Sequence, residues 1–280
     1  MQEWPGGFIE LDAALPTSAE ARVYDLAVRL EEGMARHPAH PPYAFVLTKK
    51  HGEFAYPNGI TSVSELFAMG AHVGTHIDAL GHIGYCGEVH GGHKIADHQS
   101  ISGGLEVGSA EEIPPLLGPA RLLDAEALFG RELTPADEIG PDQLDAWFAD
   151  HQPPGEGDVV VIRTGWMKYW GEADRYIGLE TGLPGLTRAG AEWLSARGIV
   201  AVGSDTMNLE HKKLGVVCLD AHVHLLVERG IYIMESLDLE RLAADGVTDF
   251  TIFSVGLRLK GASGSPIRPL AIVEPSQLGG

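Results

Sequence analysis

The chain has 280 residues, a length that suits one large domain or two small ones. Its formal net charge of −19 at pH 7 repels phosphate backbones and anionic lipid, so we predict neither a nucleic-acid partner nor a membrane partner. Hydrophobic residues make up 44% of the chain, enough for a sizeable core, but no apolar run reaches the roughly 18 residues that a membrane span needs.

The N-terminal segment and the cysteine content predict a cytoplasmic location. The opening residues, MQEWPGGFIELDAALP, lack the basic region and the apolar region of a secretory signal. The two cysteines, Cys86 and Cys218, are too few for a disulfide framework and suit a reducing compartment.

The first half of the chain predicts short strands separated by loops. Apolar alternation predicts a strand over 21–30, and another over 64–73 leads into a histidine-rich stretch. The prolines of 37–43 and the glycines of 81–104 predict loops. We interpret the proline- and acid-rich residues 111–157 as an insertion or a connection.

The second half predicts helices that alternate with strands. Helical spacing occurs in 141–151, and Thr187 is the expected cap of a helix that ends at Gly198. The same arrangement predicts a helix from Asp220 to Gly230. Strands are predicted within 155–166, 199–205, 231–236, 249–261 and 267–273. This order favours an α/β fold with a mixed sheet, built as a single domain over 1–280.

Residues 71–82, AHVGTHIDALGH, concentrate side chains that bind divalent metals. His72, His76, Asp78 and His82 offer imidazole nitrogens and a carboxylate oxygen. Gly74 disfavours a helix, so we predict a strand end and a tight turn that bring His72 and His76 to the same point. In extended chain after the turn, His76, Asp78 and His82 would share one side.

Other chemistry-bearing residues have ordinary interpretations beside functional ones. We interpret His90, His93 and His98 singly as solvated loop groups. Cys86 follows the cluster, and a cysteine–histidine nucleophile pair is a conceivable alternative. The aromatic residues of GWMKYW either line a pocket for an aromatic substrate or belong to the core or a subunit interface: Trp166, Tyr169 and Trp170. No nucleotide-binding glycine motif follows a strand.

The stretch HVGTHIDALGH resembles the HxGTHxDxPxH signature of the cyclase-type metal-dependent hydrolases, a family that includes bacterial kynurenine formamidase and isatin hydrolase. Leu80 stands where the signature has proline. Further similar stretches are VYDLAVRLEEGM, VVVIRTGW, PGLTRAGAEWLSARGIVAVGSDT, LLVERGIYIMESL and LRLKGASGSPIRPLAIV. The resemblance implies a compact α/β domain of the swivelling β/β/α type that forms homodimers or higher homo-oligomers.

The resemblance also implies roles for individual residues. His72, His76 and Asp78 match the metal ligands of the family, and His82 matches its catalytic histidine. The implied cofactor is a divalent ion, zinc in the formamidases and typically manganese in the members similar to isatin hydrolase.

The two-metal formamidases add a later histidine and a glutamate. Glu235 matches the glutamate, and His222 or His224 matches the histidine. Residues two apart on a helix point about 200° apart, so one ion would not take both, and we favour His222 in the first turn. Without a second ion, His222 and Glu235 could instead orient the attacking water.

The implied reaction is hydrolysis of an amide C–N bond in a small molecule. The substrate would be an N-formyl arylamine such as N-formylkynurenine, or a cyclic amide such as isatin. A metal-activated water would attack the carbonyl, and His82 would serve as general acid and base. Two alternatives stay open: hydrolysis of a lactone or another cyclic ester, and a non-catalytic protein that binds a metal or a small molecule on the same scaffold.

Overall fold

Strands from both ends of the described chain meet in one nine-stranded sheet. The structure is a computed structural model, and it describes residues 20–215 and 219–277. The strands are β1 (Arg22–Asp25), β2 (Ala44–Lys49), β3 (Ser64–Ala68), β4 (His76–Asp78), β5 (Glu88–Val89), β6 (His93–Lys94), β7 (Gln99–Ser100), β8 (Gly104–Leu105), β9 (Leu116–Asp124), β10 (Glu138–Ile139), β11 (Val159–Arg163), β12 (Gly185–Leu186), β13 (Ala201–Ser204), β14 (Tyr232–Glu235), β15 (Asp249–Ser254), β16 (Gly264–Pro266) and β17 (Leu270–Val273). The α-helices are α1 (Ala125–Phe129), α2 (Pro141–Asp150), α3 (Ala173–Ile177), α4 (Arg188–Ser195), α5 (Asp220–His222) and α6 (Glu240–Ala244).

The large sheet is mixed, with a parallel centre between antiparallel flanks. Its strand order is β1-β17-β15-β9-β11-β13-β14-β4-β16. The four neighbours from β9 to β14 run parallel, whereas β15 joins one side antiparallel and β4 joins the other. The predicted α/β class with a mixed sheet is therefore confirmed, and the described residues form one domain. Its extension over all of 1–280 stays a prediction.

Strand β11 shows why the centre of the sheet forms from this sequence. Val160 and Ile162 pack into the apolar layer that contains α2 and α4, while Val159 and Val161 pack into the layer on the opposite face. A strand buried on both faces needs an unbroken run of β-branched residues, and VVVI supplies it. Each such side chain contributes about 1.5–3 kcal/mol through burial.

The interpretation of 111–157 as an insertion or connection is wrong. This segment contains β9, which pairs with β15 on one side and β11 on the other. The sequence did not predict this strand because it contains Pro119, and a proline within a central strand removes a ladder hydrogen bond. The structure accommodates Pro119 because the register with β11 begins one residue later, at Ala120.

The predicted helix caps are partly right. The Thr187 side chain accepts a hydrogen bond from the Gly190 N–H at the start of α4, as expected. The helix beginning at Asp220 continues as π-helical turns over Val223–Arg229 and ends at Gly230 with φ of +68°. Asp220 does not cap this helix: the capping position is Leu219, without a side-chain hydrogen bond, and Asp220 lies in the first turn.

Other boundaries are shorter than predicted. The strand expected over 64–73 ends at Ala68, and the one expected over 249–261 ends at Ser254. The loop 81–104 contains two-residue strands, from β5 to the first residue of β8. No helix of the described ranges, 20–215 and 219–277, is long and apolar enough to cross a bilayer.

Candidate metal centre

Three features fix the turn between His72 and His76: a backbone conformation that suits glycine, hydrogen bonds of Thr75, and the strand that follows. Gly74 has φ of +70°, a conformation that a residue with a Cβ rarely adopts. The Thr75 hydroxyl accepts a hydrogen bond from the Val28 N–H at 2.9 Å and donates one to the Ser236 carbonyl at 2.6 Å. The next three residues form β4, between β14 and β16. The predicted turn therefore leads directly into β4 of the large sheet, whereas the strand expected before it ends at Ala68.

The register of β4 brings acidic and imidazole side chains together. His76 lies opposite Glu235 of β14 in the antiparallel ladder. The ring of His76 is oriented by a contact of 2.8 Å between its Nδ1 and the Gly74 carbonyl oxygen. Its Nε2 lies 3.6 Å from Asp78 Oδ1 and 3.4 Å from Glu235 Oε2. One ligand atom from each of His76, Asp78 and Glu235 lies within 4.8 Å of the others.

A second group of possible ligand atoms shares Asp78. His72 Nδ1 lies 2.7 Å from Asp78 Oδ1, and His72 Nε2 lies 2.9 Å from Ser263 Oγ. The His82 ring stacks on the His72 ring, with centroids 3.8 Å apart. His72, Asp78 and His82 also offer ligand atoms within 4.8 Å of one another. The Asp78 carboxylate, only 1% exposed, is thus placed between the two groups.

Of the two later histidines, the structure places His222 beside the cluster. His222 Nε2 lies 3.2 Å from Glu235 Oε1, and His222 Nδ1 donates to Glu210 Oε2 at 2.9 Å. His224 is directed elsewhere, with Nε2 at 2.7 Å from Ser195 Oγ and Nδ1 at 2.8 Å from Glu228 Oε2. The opposite directions of the two rings follow from their spacing along the helix.

Hydrogen bonds and neighbouring charges shift the pKa values of these buried groups. Burial alone would lower the pKa of His222, but hydrogen bonds to Glu210 and Glu235 outweigh it and raise the pKa to about 10. Burial would raise the pKa of Glu235, yet its hydrogen bonds with His222 and His76 hold it below the usual range. Neighbouring histidines likewise hold the pKa of Asp78 far below its usual range, against the effect of burial.

His82 differs from the other cluster histidines in its electrostatic surroundings. Burial lowers the pKa of its imidazole to about 4. The neighbouring Asp78 raises this pKa, and the neighbouring His72 lowers it. The ring is therefore neutral at pH 7. A neutral imidazole beside a polar cluster is able to accept a proton.

The donor set fits a divalent cation. The carboxyl groups of Asp78, Glu235 and Glu210 are buried, and each contacts a histidine ring of the cluster. Buried carboxylates need compensating charge. Hydrogen bonds to two of these carboxyl groups, Glu210 and Glu235, favour the protonated imidazole of His222. Imidazole nitrogen with carboxylate oxygen is the ligand combination of zinc, manganese and similar ions.

The sequence interpretation missed three residues that contact this cluster. The distance along the chain between Glu210 and the motif of residues 72–82 matches no known pattern, and only the fold brings Glu210 to His222. Ser263, directly before β16, likewise contacts His72 through its hydroxyl group only because of the fold. His40 stands in the stretch HPAHPPY, interpreted only as a loop, and its ring centroid lies 5.3 Å from that of His72. The histidine content of that loop was the one available signal.

The other candidate residues lie outside the cluster. Cys86 is exposed, and Cys218 lies outside the described residues. Trp166 and Tyr169 are buried in an apolar cluster, against which Trp170 packs, so they have the core role that the sequence left open. His90 bonds the Val227 carbonyl through Nδ1 at 2.9 Å.

Known proteins are similar to this chain over most of its length. The family model described as "Putative cyclase" matches residues 24–211. The chain is 28% identical to an isatin hydrolase from Roseibium aggregatum over 210 residues, which is 73% of each chain. It is 27% identical to a kynurenine formamidase from Bacillus cereus over 254 residues, 90% of this chain and 96% of that one.

Solved structures share the fold. The crystal structure of a novel cyclase superposes with a TM-score of 0.82 at 24% identity, covering 91% of this chain and 88% of that one. Isatin hydrolase A from Ralstonia solanacearum gives a TM-score of 0.70 at 24% identity, with 91% and 92% covered. The chain therefore belongs to the cyclase family that the family model describes.

Proposed function

We propose that this protein hydrolyses the amide C–N bond of a small N-formyl arylamine, such as N-formylkynurenine, or of a cyclic amide, such as isatin. The observation that carries the proposal is the pair of ligand groups that share Asp78, with the His82 ring stacked at 3.8 Å on the ring of His72. The names of the relatives, isatin hydrolase and kynurenine formamidase, support the same class of substrate.

The ligand roles are those that the family resemblance implies, at residues that lie around Asp78. His72, His76 and Asp78 would hold one zinc or manganese ion, and Asp78 with His222 and Glu235 could hold a second. When bound, such an ion lowers the pKa of a coordinated water from that of bulk water to about 7 and so supplies a nucleophile at neutral pH.

The residues of this chain would then provide proton transfer. A neutral ring nitrogen of His82 accepts the proton of the attacking water and returns it to the leaving nitrogen. Glu210 keeps Nδ1 of His222 engaged, so that Nε2 of His222 remains directed at Glu235. The Gly74 carbonyl oxygen likewise engages Nδ1 of His76, so that Nε2 of His76 faces Asp78 and Glu235.

A cavity next to His82 favours a compact substrate. Its volume is about 250 Å³, just below the roughly 300–1,000 Å³ of most ligand sites. Val89, Ile95 and Leu105 give it apolar walls, and His98 and Gln99 add polar groups. One aromatic ring with a short polar side chain, or a fused bicyclic amide, suits this size and chemistry.

The test combines metal analysis with a substrate screen. Elemental analysis of the purified protein would be followed by assays of N-formylkynurenine, isatin and a matched lactone, with Mn²⁺ and Zn²⁺ added separately. Asp78→Ala should lose metal and turnover together. His82→Ala should retain metal and lose turnover by about 100- to 10,000-fold, the usual contribution of a general acid–base group.

Specific outcomes would contradict the proposal. Turnover of the lactone alone would move the activity to cyclic esters. Tight metal binding without turnover of any of these substrates would favour a non-catalytic binding protein. A His82→Ala variant that loses its ion would place His82 among the ligands rather than at the proton-transfer step.

A further inference from the structure

A second cavity lies at the opposite edge of the parallel strands from the candidate metal centre. Its volume is about 400 Å³, within the roughly 300–1,000 Å³ of most small-molecule sites. It is lined by Leu116, Val159 and Tyr232, the first residues of β9, β11 and β14. Glu235 ends β14 three residues later, about 10 Å along the strand. Among the described residues, this cavity shares none of its lining with the cavity next to His82, so it is a separate space.

Gly118 leaves one wall of this cavity without a side chain. The residue lies within β9 and is buried, yet a Cβ at this position would meet no atom within 4 Å beyond its chain neighbours. Buried strand positions normally pack a side chain against the neighbouring layer. Pro115 and Ile231 add apolar walls to the space. The cavity therefore has room and apolar surface for the hydrocarbon part of a small ligand.

Arg229 is the charged group of the cavity. It is the last residue of the π-helical turns before β14 and is exposed at the rim. Arg163 and Arg188 form ion pairs with acidic residues, but Arg229 has no hydrogen-bond or ion-pair partner among the described residues. The rest of the described lining carries no charge. An unpaired guanidinium at the rim of an apolar cavity suits a carboxylate, which it binds through two parallel hydrogen bonds.

Tyr232 supplies a neutral hydrogen-bond donor to the same cavity. Burial raises the pKa of its hydroxyl group to about 12, and Glu112 acts in the same direction. The hydroxyl group is therefore protonated at neutral pH, and within the described part of the chain no hydrogen bond occupies it. A carboxylate accepts hydrogen bonds from a phenol and a guanidinium alike. A cationic ligand, in contrast, would find no acidic side chain in the described lining.

We propose that this cavity binds a small organic carboxylate with an apolar body, such as an aromatic acid. Arg229 and the Tyr232 hydroxyl group hold the carboxylate, and the ring lies over Gly118 between Pro115 and Ile231. Since the cavity is separate from the metal centre, this binding needs no metal ion and does not depend on the hydrolytic reaction proposed above.

Titration calorimetry of the full chain with sodium benzoate tests the proposal. Chelator is present throughout, so that no ion at the metal centre offers a second place for the carboxylate. The unsubstituted protein should bind one benzoate, and Arg229→Gln should bind it at least about tenfold more weakly, the effect of losing a charge-assisted hydrogen bond. Benzamide has the same ring without the charge, so it should bind the unsubstituted protein about tenfold more weakly than benzoate.

Further variants separate the cavity from the net charge of the chain. Arg258→Gln is the matched control, because Arg258 is also exposed, lies outside the cavity and changes the net charge equally; this variant should bind benzoate like the parent protein. Gly118→Val fills the space for the ring and should abolish binding. Tyr232→Phe removes only the hydroxyl group and should weaken binding several-fold. Circular dichroism would verify that each variant is folded.

Three outcomes would overturn the proposal. The first is a parent protein that binds no benzoate at millimolar concentration. The second is an equal loss of affinity in Arg229→Gln and Arg258→Gln, which would show that only the net charge attracts the anion. The third is unchanged binding by folded Gly118→Val or by Tyr232→Phe, which would place the benzoate elsewhere on the protein.

Discussion

Glu210 fixes which nitrogen of the His222 ring faces the acidic cluster. Its Oε2 accepts the Nδ1–H of His222 at 2.9 Å and the backbone N–H of His222 at 3.2 Å, and its Oε1 accepts the Ala221 N–H at 3.0 Å. With Nδ1 engaged, Nε2 is left at 3.2 Å from Glu235. The carboxylate therefore orients both the ring and the first helical turn that carries it.

We expect Glu210→Gln to weaken metal binding without unfolding the protein. The amide has nearly the same size, but its nitrogen cannot accept the hydrogen bonds that the second carboxylate oxygen accepts. Loss of such a supporting partner typically lowers metal affinity by about 10- to 100-fold. Titration calorimetry with Zn²⁺ and Mn²⁺ would measure the change, with the exposed Glu192→Gln as control. Unchanged affinity and stoichiometry would show that Glu210 supports only the helix.

Substitution should affect the site at only one of the two histidines of this helix. His222→Ala removes an imidazole next to Glu235 and should reduce bound metal or turnover. His224→Ala removes contacts with Ser195 and Glu228 only, so metal content and kcat/KM should remain within about twofold, apart from any loss of stability. Metal analysis and turnover of the same preparations provide the comparison. The reverse pattern would assign the site role to His224.

Local patterns in the sequence predicted the parts of the molecule that depend on local chemistry. The turn at Gly74, the cap at Thr187 and the end of the helix at Gly230 are each set by a few neighbouring residues. The motif likewise grouped His72 with Asp78, whose side-chain atoms lie 2.7 Å apart. Such features need no knowledge of distant contacts.

The missed features depend on distant contacts. Pro119 argues against a central strand until the staggered start of β11 is known. Glu210 lies 12 residues before His222, and no local pattern connects the two side chains. The exposure of Phe45 and Phe67 is equally invisible in the sequence, since their alternation would suit a half-buried strand. In each case tertiary placement decides the role.

Gly264 leaves room for His72, and filling that room should weaken the site. A Cβ at this position would lie 2.6 Å from Cε1 of His72 and 2.8 Å from the carbonyl oxygen of Ile77. Gly264→Ala should therefore displace the ring and lower metal affinity by at least about tenfold, comparable to loss of a supporting contact. Gly118→Ala is the matched control, because a Cβ there meets nothing within 4 Å. Equal metal affinities of the two variants, measured by titration calorimetry, would contradict the expectation.

Asp205 should make folding more favourable as the pH falls. The carboxylate is fully buried and accepts hydrogen bonds from Thr164 N–H at 2.9 Å, Thr164 Oγ1 at 2.7 Å and Trp166 N–H at 3.1 Å. Burial nevertheless raises its pKa from 3.8 to about 6, with the Thr164 bonds opposing the shift only in part. Since the folded pKa exceeds the unfolded one, this contribution to stability is complete below about pH 4 and is lost as the pH rises through about 6.

The magnitude follows from the difference between the two pKa values. At 1.36 kcal/mol for each pKa unit, the free energy of unfolding should gain roughly 2 kcal/mol from Asp205 between pH 7 and pH 4, where the unfolded carboxyl is only partly protonated. Asp205→Asn removes this titration, so the parent protein should gain stability relative to the variant as the pH falls. Urea unfolding of both proteins across this range, in chelator to exclude metal release, measures the difference, and the exposed Asp142→Asn should run parallel to the parent. If Asp205→Asn also runs parallel, the carboxylate titrates in the folded protein as it does in the unfolded chain, and the hydrogen bonds from Thr164 and Trp166 compensate its burial in full.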